Sequence, residues 1–117
     1  MYTMVLSILH RVSGLSLSAA SLLLVAWLAS IAAGAAVYES AAACFGSWPL
    51  RVIIAAALAA FWYHLFAGLR HLGWDAGIGF GRKAARASGA LVVVLAAGAF
   101  VATLWLTPAG RWFGVVP

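Results

Sequence analysis

Three long apolar runs constrain this chain more than any other feature. No residue from Val12 to Val37 is charged, none from Val52 to Leu69 is acidic or a lysine or arginine, and none from Ser88 to Leu106 is charged. A segment of about 20 mostly apolar residues is what an α-helix needs to cross the hydrocarbon of a bilayer. Inside that hydrocarbon a backbone must satisfy its own hydrogen bonds, which leaves helices for runs of this length. The expected fold is therefore all-α, an integral membrane protein with three transmembrane helices. We place the spans at about 12–37, 50–72 and 88–106, within one transmembrane domain over residues 1–117.

The 117 residues leave no room for a soluble domain beside three spans, and 67% hydrophobic against 8% charged residues would not keep such a domain in solution. All function must then sit within or against the membrane. Met1 to His10 is too short for a signal peptide's charged and apolar regions, so it reads as the lead-in to the first span. The net charge of +5 reports orientation, not nucleic-acid binding, for which there is no other sign. Arg11, Arg70, Arg82, Lys83 and Arg86 fall on one side of the three-span layout, and Arg51 and Arg111 on the other. The richer side faces the cytoplasm, or the matrix in a mitochondrion, which sets the N-terminus inside and the C-terminus outside. Tyr38 to Pro49 is the outer connection. The inner one runs from Gly73 to Ala87 and carries Gly73, Gly77, Gly79 and Gly81. Cys44 is the only cysteine, so a disulfide within the chain and a thiolate cluster are both excluded.

Chemistry is concentrated in His64-Leu65-Phe66-Ala67-Gly68-Leu69-Arg70-His71-Leu72-Gly73-Trp74-Asp75. On a helix His64 and His71 share a face, about 10 Å apart along the axis, with Gly68 between them. A flat ligand has room there. An intramembrane histidine is costly without a partner. Bonding to a neighbouring helix would supply one, and so would a porphyrin iron. A low-spin haem takes ligands from opposite faces, which His64 and His71 on one helix face cannot both provide. His10, expected level with His71 and about 10 Å from the depth of His64, is a poor second ligand as well. The other ligand is therefore expected from another chain. Propionates would reach the inner surface near His10, Arg11, Arg70 and His71. Arg70 and Asp75 are expected to pair at the boundary. The six tryptophans read as belt and packing residues.

A second constellation lies at the start of the first span. Ser7, His10, Arg11, Gly14 and Ser18 follow spacings of three and four, so they share one side of a helix. Arg11 as a snorkelling anchor and His10 as an interface residue is one reading. The other is a binding face, because serine and arginine one turn apart can donate to a quinone carbonyl or a carboxylate, and a guanidinium stabilises charge that builds on a quinone during reduction.

Ser7-Ile8-Leu9-His10-Arg11-Val12-Ser13-Gly14 resembles the S-x-x-H-R-x-[ST]-G motif of the cytochrome b membrane-anchor subunits of succinate dehydrogenase, respiratory complex II. His64-x-x-x-Gly68-x-Arg70-His71-Leu72-x-x-Asp75 resembles the second signature of the same family. Together the two motifs are highly specific, and the three-span layout covers nearly the whole chain. Family members usually carry a polar stretch with a Pro-His sequence ahead of the first motif, and this chain starts almost at the motif. The resemblance implies that His64 is an axial ligand of haem b, that Ser7 and Arg11 help form the ubiquinone site, and that His10 and His71 lie by the propionates.

It further implies half of a heteromeric, haem-binding helical bundle in a four-subunit enzyme. A second three-span anchor would share the haem, while FAD and iron-sulfur clusters would reside in a flavoprotein and an iron-sulfur subunit. The chain would be part of an enzyme without catalysing alone, embedded among lipids of the bacterial inner membrane or, alternatively, of the mitochondrial one. A fumarate reductase anchor working on quinol is the alternative within the class. From another class the alternative is a haem-free small transporter or structural protein, although a proton-coupled transporter needs an acid inside a span and both Glu39 and Asp75 fall in connections.

Overall fold

The computed structural model describes residues 2–78, 80–115 and 117. Met1, Gly79 of the inner connection and Val116 lie outside the described residues. Among the described residues five helices follow one another: α1 (Tyr2–Ala32), α2 (Ala35–Phe45), α3 (Trp48–Asp75), α4 (Arg82–Leu106) and α5 (Ala109–Trp112). No strand occurs among the described residues. Three helices among the described residues are long and apolar enough to cross a membrane, over Met4–Ala32, Trp48–Asp75 and Arg82–Leu106. The architecture is all-helical with three candidate spans, as the apolar runs imply.

The helix limits differ from the expected spans in one instructive place. α1 stops at Ala32, short of residue 37, because Gly34 adopts φ 109°, a conformation that side-chain-bearing residues avoid. The outer connection is then mostly helical, with α2 occupying Ala35–Phe45. Ser47 closes it: its hydroxyl donates to the Cys44 carbonyl at 2.6 Å, and Pro49 stands in the first turn of α3, where its missing N–H costs nothing. At the inner end, Gly77 takes φ 82° and turns the chain out of α3.

α3 is the middle element, packed on α1 along one side and α4 along the other, with little contact between α1 and α4. The assembly measures 56 × 29 × 22 Å. Small residues let the helices approach, and the interior is correspondingly slight: Leu6, Ala67, Val92, Ala96 and Leu104, with Ser13, Ser30 and Arg70 as buried polar members. Leu15, Leu22, Val94 and Leu106 are among the large apolar side chains left outside, as suits a surface meant for lipid or another membrane helix.

Two aromatic side chains of α3 make polar links to its neighbours. Trp62 Nε1 donates to Thr103 Oγ1 on α4 at 2.9 Å, while Thr103 donates onward to the Ala99 carbonyl at 2.7 Å. Tyr63 donates its hydroxyl to the Leu6 carbonyl on α1 at 2.6 Å. Hydrogen bonds of this kind hold helices together where water cannot compete. The first turn of α4 holds Arg82 and Lys83, cations at the end where the helix dipole disfavours them. Their place there is explained by the membrane surface, not by helix stability.

Candidate functional site

The three histidines form one stack. His10 on α1 lies between His64 and His71 of α3, its ring 4.3 Å from that of His64 at an interplanar angle of 3° and 4.7 Å from that of His71 at 24°. Seven residues of helix leave a slot about 10 Å long between His64 and His71, and the His10 ring fills it. This corrects the expected depth: His10 is not level with His71 but midway, in contact with both. It still cannot serve as the partner ligand of His64, because rings stacked face to face cannot approach one iron from opposite sides.

The crossing of α1 and α3 is reciprocal. Each helix carries His-x-x-x-Gly, and because the helices run antiparallel, each histidine lies over the other helix's glycine. A β-carbon on Gly14 would stand 3.0 Å from His64 Cε1, and one on Gly68 would stand 3.8 Å from His10 Cε1. The backbone at Gly68, read from the sequence as open to a flat ligand, is covered by His10.

His64 is anchored through Nδ1, which is 3.1 Å from Ser13 Oγ and 3.3 Å from the His10 carbonyl. Ser13 is 6% exposed. His71 is tied back to its own helix, with Nδ1 2.7 Å from the Ala67 carbonyl, and its ring meets Trp74 edge-on. His10 Nδ1 is buried and has no hydrogen-bond partner among the described residues.

Ser7 and Arg11 lie one turn apart on α1, Ser7 half-buried and Arg11 exposed. Arg70 takes a different place from the one expected. Its guanidinium turns to α4, donating from Nε to Ser88 Oγ at 2.9 Å and from Nη2 to the Ala85 carbonyl at 2.9 Å, with Trp74 beneath it at 4.2 Å. It is 8% exposed and is held by these groups instead of by Asp75. Sequence reading missed Ser13, Ser88 and Tyr63 as partners. Ser13 was visible as the last polar position of the first motif, whereas nothing local announces Ser88 or Tyr63.

Among the described residues no three of His, Cys, Asp or Glu converge to hold a bare metal ion, since stacked rings aim their nitrogens apart. The donor set suits an iron that brings its own equatorial ligands. His64 fits that role, because its Nδ1 is engaged and its Nε2 remains for coordination. The unpartnered His10 Nδ1 fits a neighbouring polar group such as a carboxylate. An apolar cavity of about 450 Å³ lies elsewhere, between α1, α2 and α3, lined by residues that include Trp27, Tyr38, Phe45 and Trp112. Its lining contains no imidazole.

Fold and site together define a three-span membrane protein with a half-buried imidazole cluster between its first two spans. Residues 1–104 match the succinate dehydrogenase/fumarate reductase transmembrane subunits. Over 94 residues the chain is 38% identical to the succinate dehydrogenase cytochrome b556 subunit of Paracoccus denitrificans, covering 77% of this chain and 72% of that one. The subunit of the same name from Rickettsia felis is 38% identical over 89 residues, 76% of this chain and 68% of that one. That of Rickettsia bellii is 36% identical over 101 residues, 86% and 78% of the two chains. The chain belongs to this family, as a cytochrome b membrane-anchor subunit of complex II. It is a multi-pass protein of the bacterial inner membrane, and the small-transporter reading is set aside.

Proposed function

We propose that this chain, together with a second membrane anchor, holds haem b and builds the site at which ubiquinone is reduced with electrons from succinate. The observation that carries the reading is His64: an intramembrane imidazole held at Nδ1 by Ser13 and the His10 carbonyl, with Nε2 left to coordinate. The second axial ligand comes from the partner anchor, because His10 and His71 belong to the same stack. His10, Arg11 and His71 meet the propionates, and Arg70 supports them from its place between α3 and α4. The bound haem supplies a one-electron centre beside the quinone path.

Ser7 and Arg11 act on the quinone. The Ser7 hydroxyl and the Arg11 guanidinium donate toward a headgroup carbonyl, and the guanidinium favours the charge that gathers on oxygen as electrons arrive. Being in place beforehand, they need no reorganisation at that moment. Those electrons come from a flavoprotein with FAD through an iron-sulfur subunit, both docked on the inner face, where the N-terminus and the α3–α4 connection lie. The relatives are named for succinate dehydrogenase, which favours the succinate-oxidising direction over fumarate reduction.

The test is to purify the complex through a tag on this chain, after co-expression with its three partner subunits. Haem is counted as the pyridine haemochrome, and succinate–quinone reductase activity is assayed. One b-type haem per copy of the chain, with quinone-linked activity, is the expected result. A fully active complex without haem b would contradict the reading.

A further inference from the structure

We infer that Ser13 is a positioning residue for haem ligation: it sets the tautomer and the ring orientation of His64. The inference rests on the haem-anchor reading above and follows from three atoms. The His10 carbonyl is an acceptor only. Ser13 Oγ donates to it at 2.7 Å, so the hydroxyl hydrogen is committed and a lone pair of Oγ faces outward. His64 Nδ1 lies 3.1 Å from that Oγ and 3.3 Å from the same carbonyl.

Two acceptors therefore converge on Nδ1. With the proton on Nδ1 all three groups are satisfied. With the proton on Nε2, the Nδ1 lone pair would face the carbonyl at close range in a part-buried setting, or the serine would have to abandon His10. The Nδ1–H tautomer is selected, and it is the form in which Nε2 carries the free lone pair that an iron needs. Gly14 completes the device, because its bare backbone lets the His64 ring come close to α1. His-x-x-Ser-Gly on α1, residues 10 to 14, thus cradles an imidazole that belongs to α3.

An outer hydrogen bond of this type makes a ligand imidazole a stronger donor and holds it in line, and its loss typically weakens metal binding by about 10- to 100-fold. The experiment uses the assembled complex as wild type, Ser13→Ala and Ser13→Thr. The haem midpoint potential is measured by redox titration, and haem retention by the rate of transfer to apomyoglobin. Ser13→Ala should raise the potential, since a weaker donor stabilises the oxidised iron less, and should weaken retention by about 10- to 100-fold. Ser13→Thr keeps the hydroxyl and should stay near wild type. If Ser13→Ala does not assemble, Ser13→Val against Ser13→Thr isolates the hydroxyl at nearly constant volume, with the same difference expected. An unchanged potential and retention without the hydroxyl would overturn the inference, as would Ala and Thr variants that change alike. A wild-type complex without haem b would instead overturn the functional reading beneath it.

Discussion

The backbone of Gly14 runs so close beneath the His64 imidazole that a β-carbon there would stand 3.0 Å from Cε1, whereas the matching position on the other helix, Gly68, leaves 3.8 Å to His10. The two glycines occupy equivalent places in one reciprocal crossing but differ in slack. A methyl at Gly14 must push the ring or the helix aside, and His64 is held at Nδ1 and cannot yield freely. At Gly68 a methyl makes ordinary van der Waals contact. Gly14→Ala should therefore lower haem content or shift the haem spectrum in the assembled complex, and Gly68→Ala should leave both near wild type. Equal effects would mean that the crossing is looser than this geometry.

Arg70 is expected to hold the α3–α4 pair. Its side chain satisfies the Ser88 hydroxyl and the Ala85 carbonyl from a buried position, and hydrogen bonds from a charged donor contribute about 1.5–3 kcal/mol. Arg70→Ala should lower the yield of assembled complex and its midpoint of thermal inactivation. Ser88→Ala, which leaves the bond to Ala85 in place, should do so by less.

The pairing of Trp62 with Thr103 can be isolated by a double-mutant cycle with Trp62→Phe and Thr103→Val. Interhelical hydrogen bonds in membranes average about 0.6 kcal/mol, with an upper value near 1.7 kcal/mol, so the coupling between the two changes should fall in that range. Additive effects would mean that the bond contributes nothing.

Much of this was legible in the sequence because it depends on single helices. The three apolar runs, the His64–Gly68–His71 face and the serine-histidine-arginine motif all follow from composition and a 3.6-residue period. What could not be read is how one helix is offset against another. His10 lies midway between His64 and His71 because of where α1 crosses α3, and periodicity within α1 carries no record of that. Arg70 is an example of the same limit: Asp75 is near in sequence, but the helix brought alongside offers Ser88 and a carbonyl. The helical outer connection escaped notice for a simpler reason, since Gly34 was read as part of a span when its φ ends one.

Quinone chemistry should separate from succinate oxidation. Ser7 and Arg11 lie on α1 in the membrane-anchor chain and have no access to a dicarboxylate in another subunit. Loss of a hydrogen bond that strengthens as charge builds on the quinone costs about 2–4 kcal/mol of barrier, which is tens- to hundreds-fold in rate. Ser7→Ala and Arg11→Ala should reduce quinone reductase activity by that order, while the rate with an artificial acceptor fed by the soluble subunits stays near wild type. Ser7→Ala is the cleaner variant, because Arg11 is also assigned to a propionate. A parallel fall in both assays would place the quinone elsewhere.

The most direct measurement is the dithionite-reduced minus oxidised optical spectrum of the four-subunit complex carrying His64→Ala, set beside wild type at equal complex concentration. His64 is assigned as an iron ligand, so the wild-type α-band of a low-spin b-type haem should be lost or replaced by a high-spin spectrum in the variant, with assembly verified by subunit content. An assembled His64→Ala complex with an unchanged low-spin spectrum would contradict the assignment of His64, and with it the account of the histidine stack.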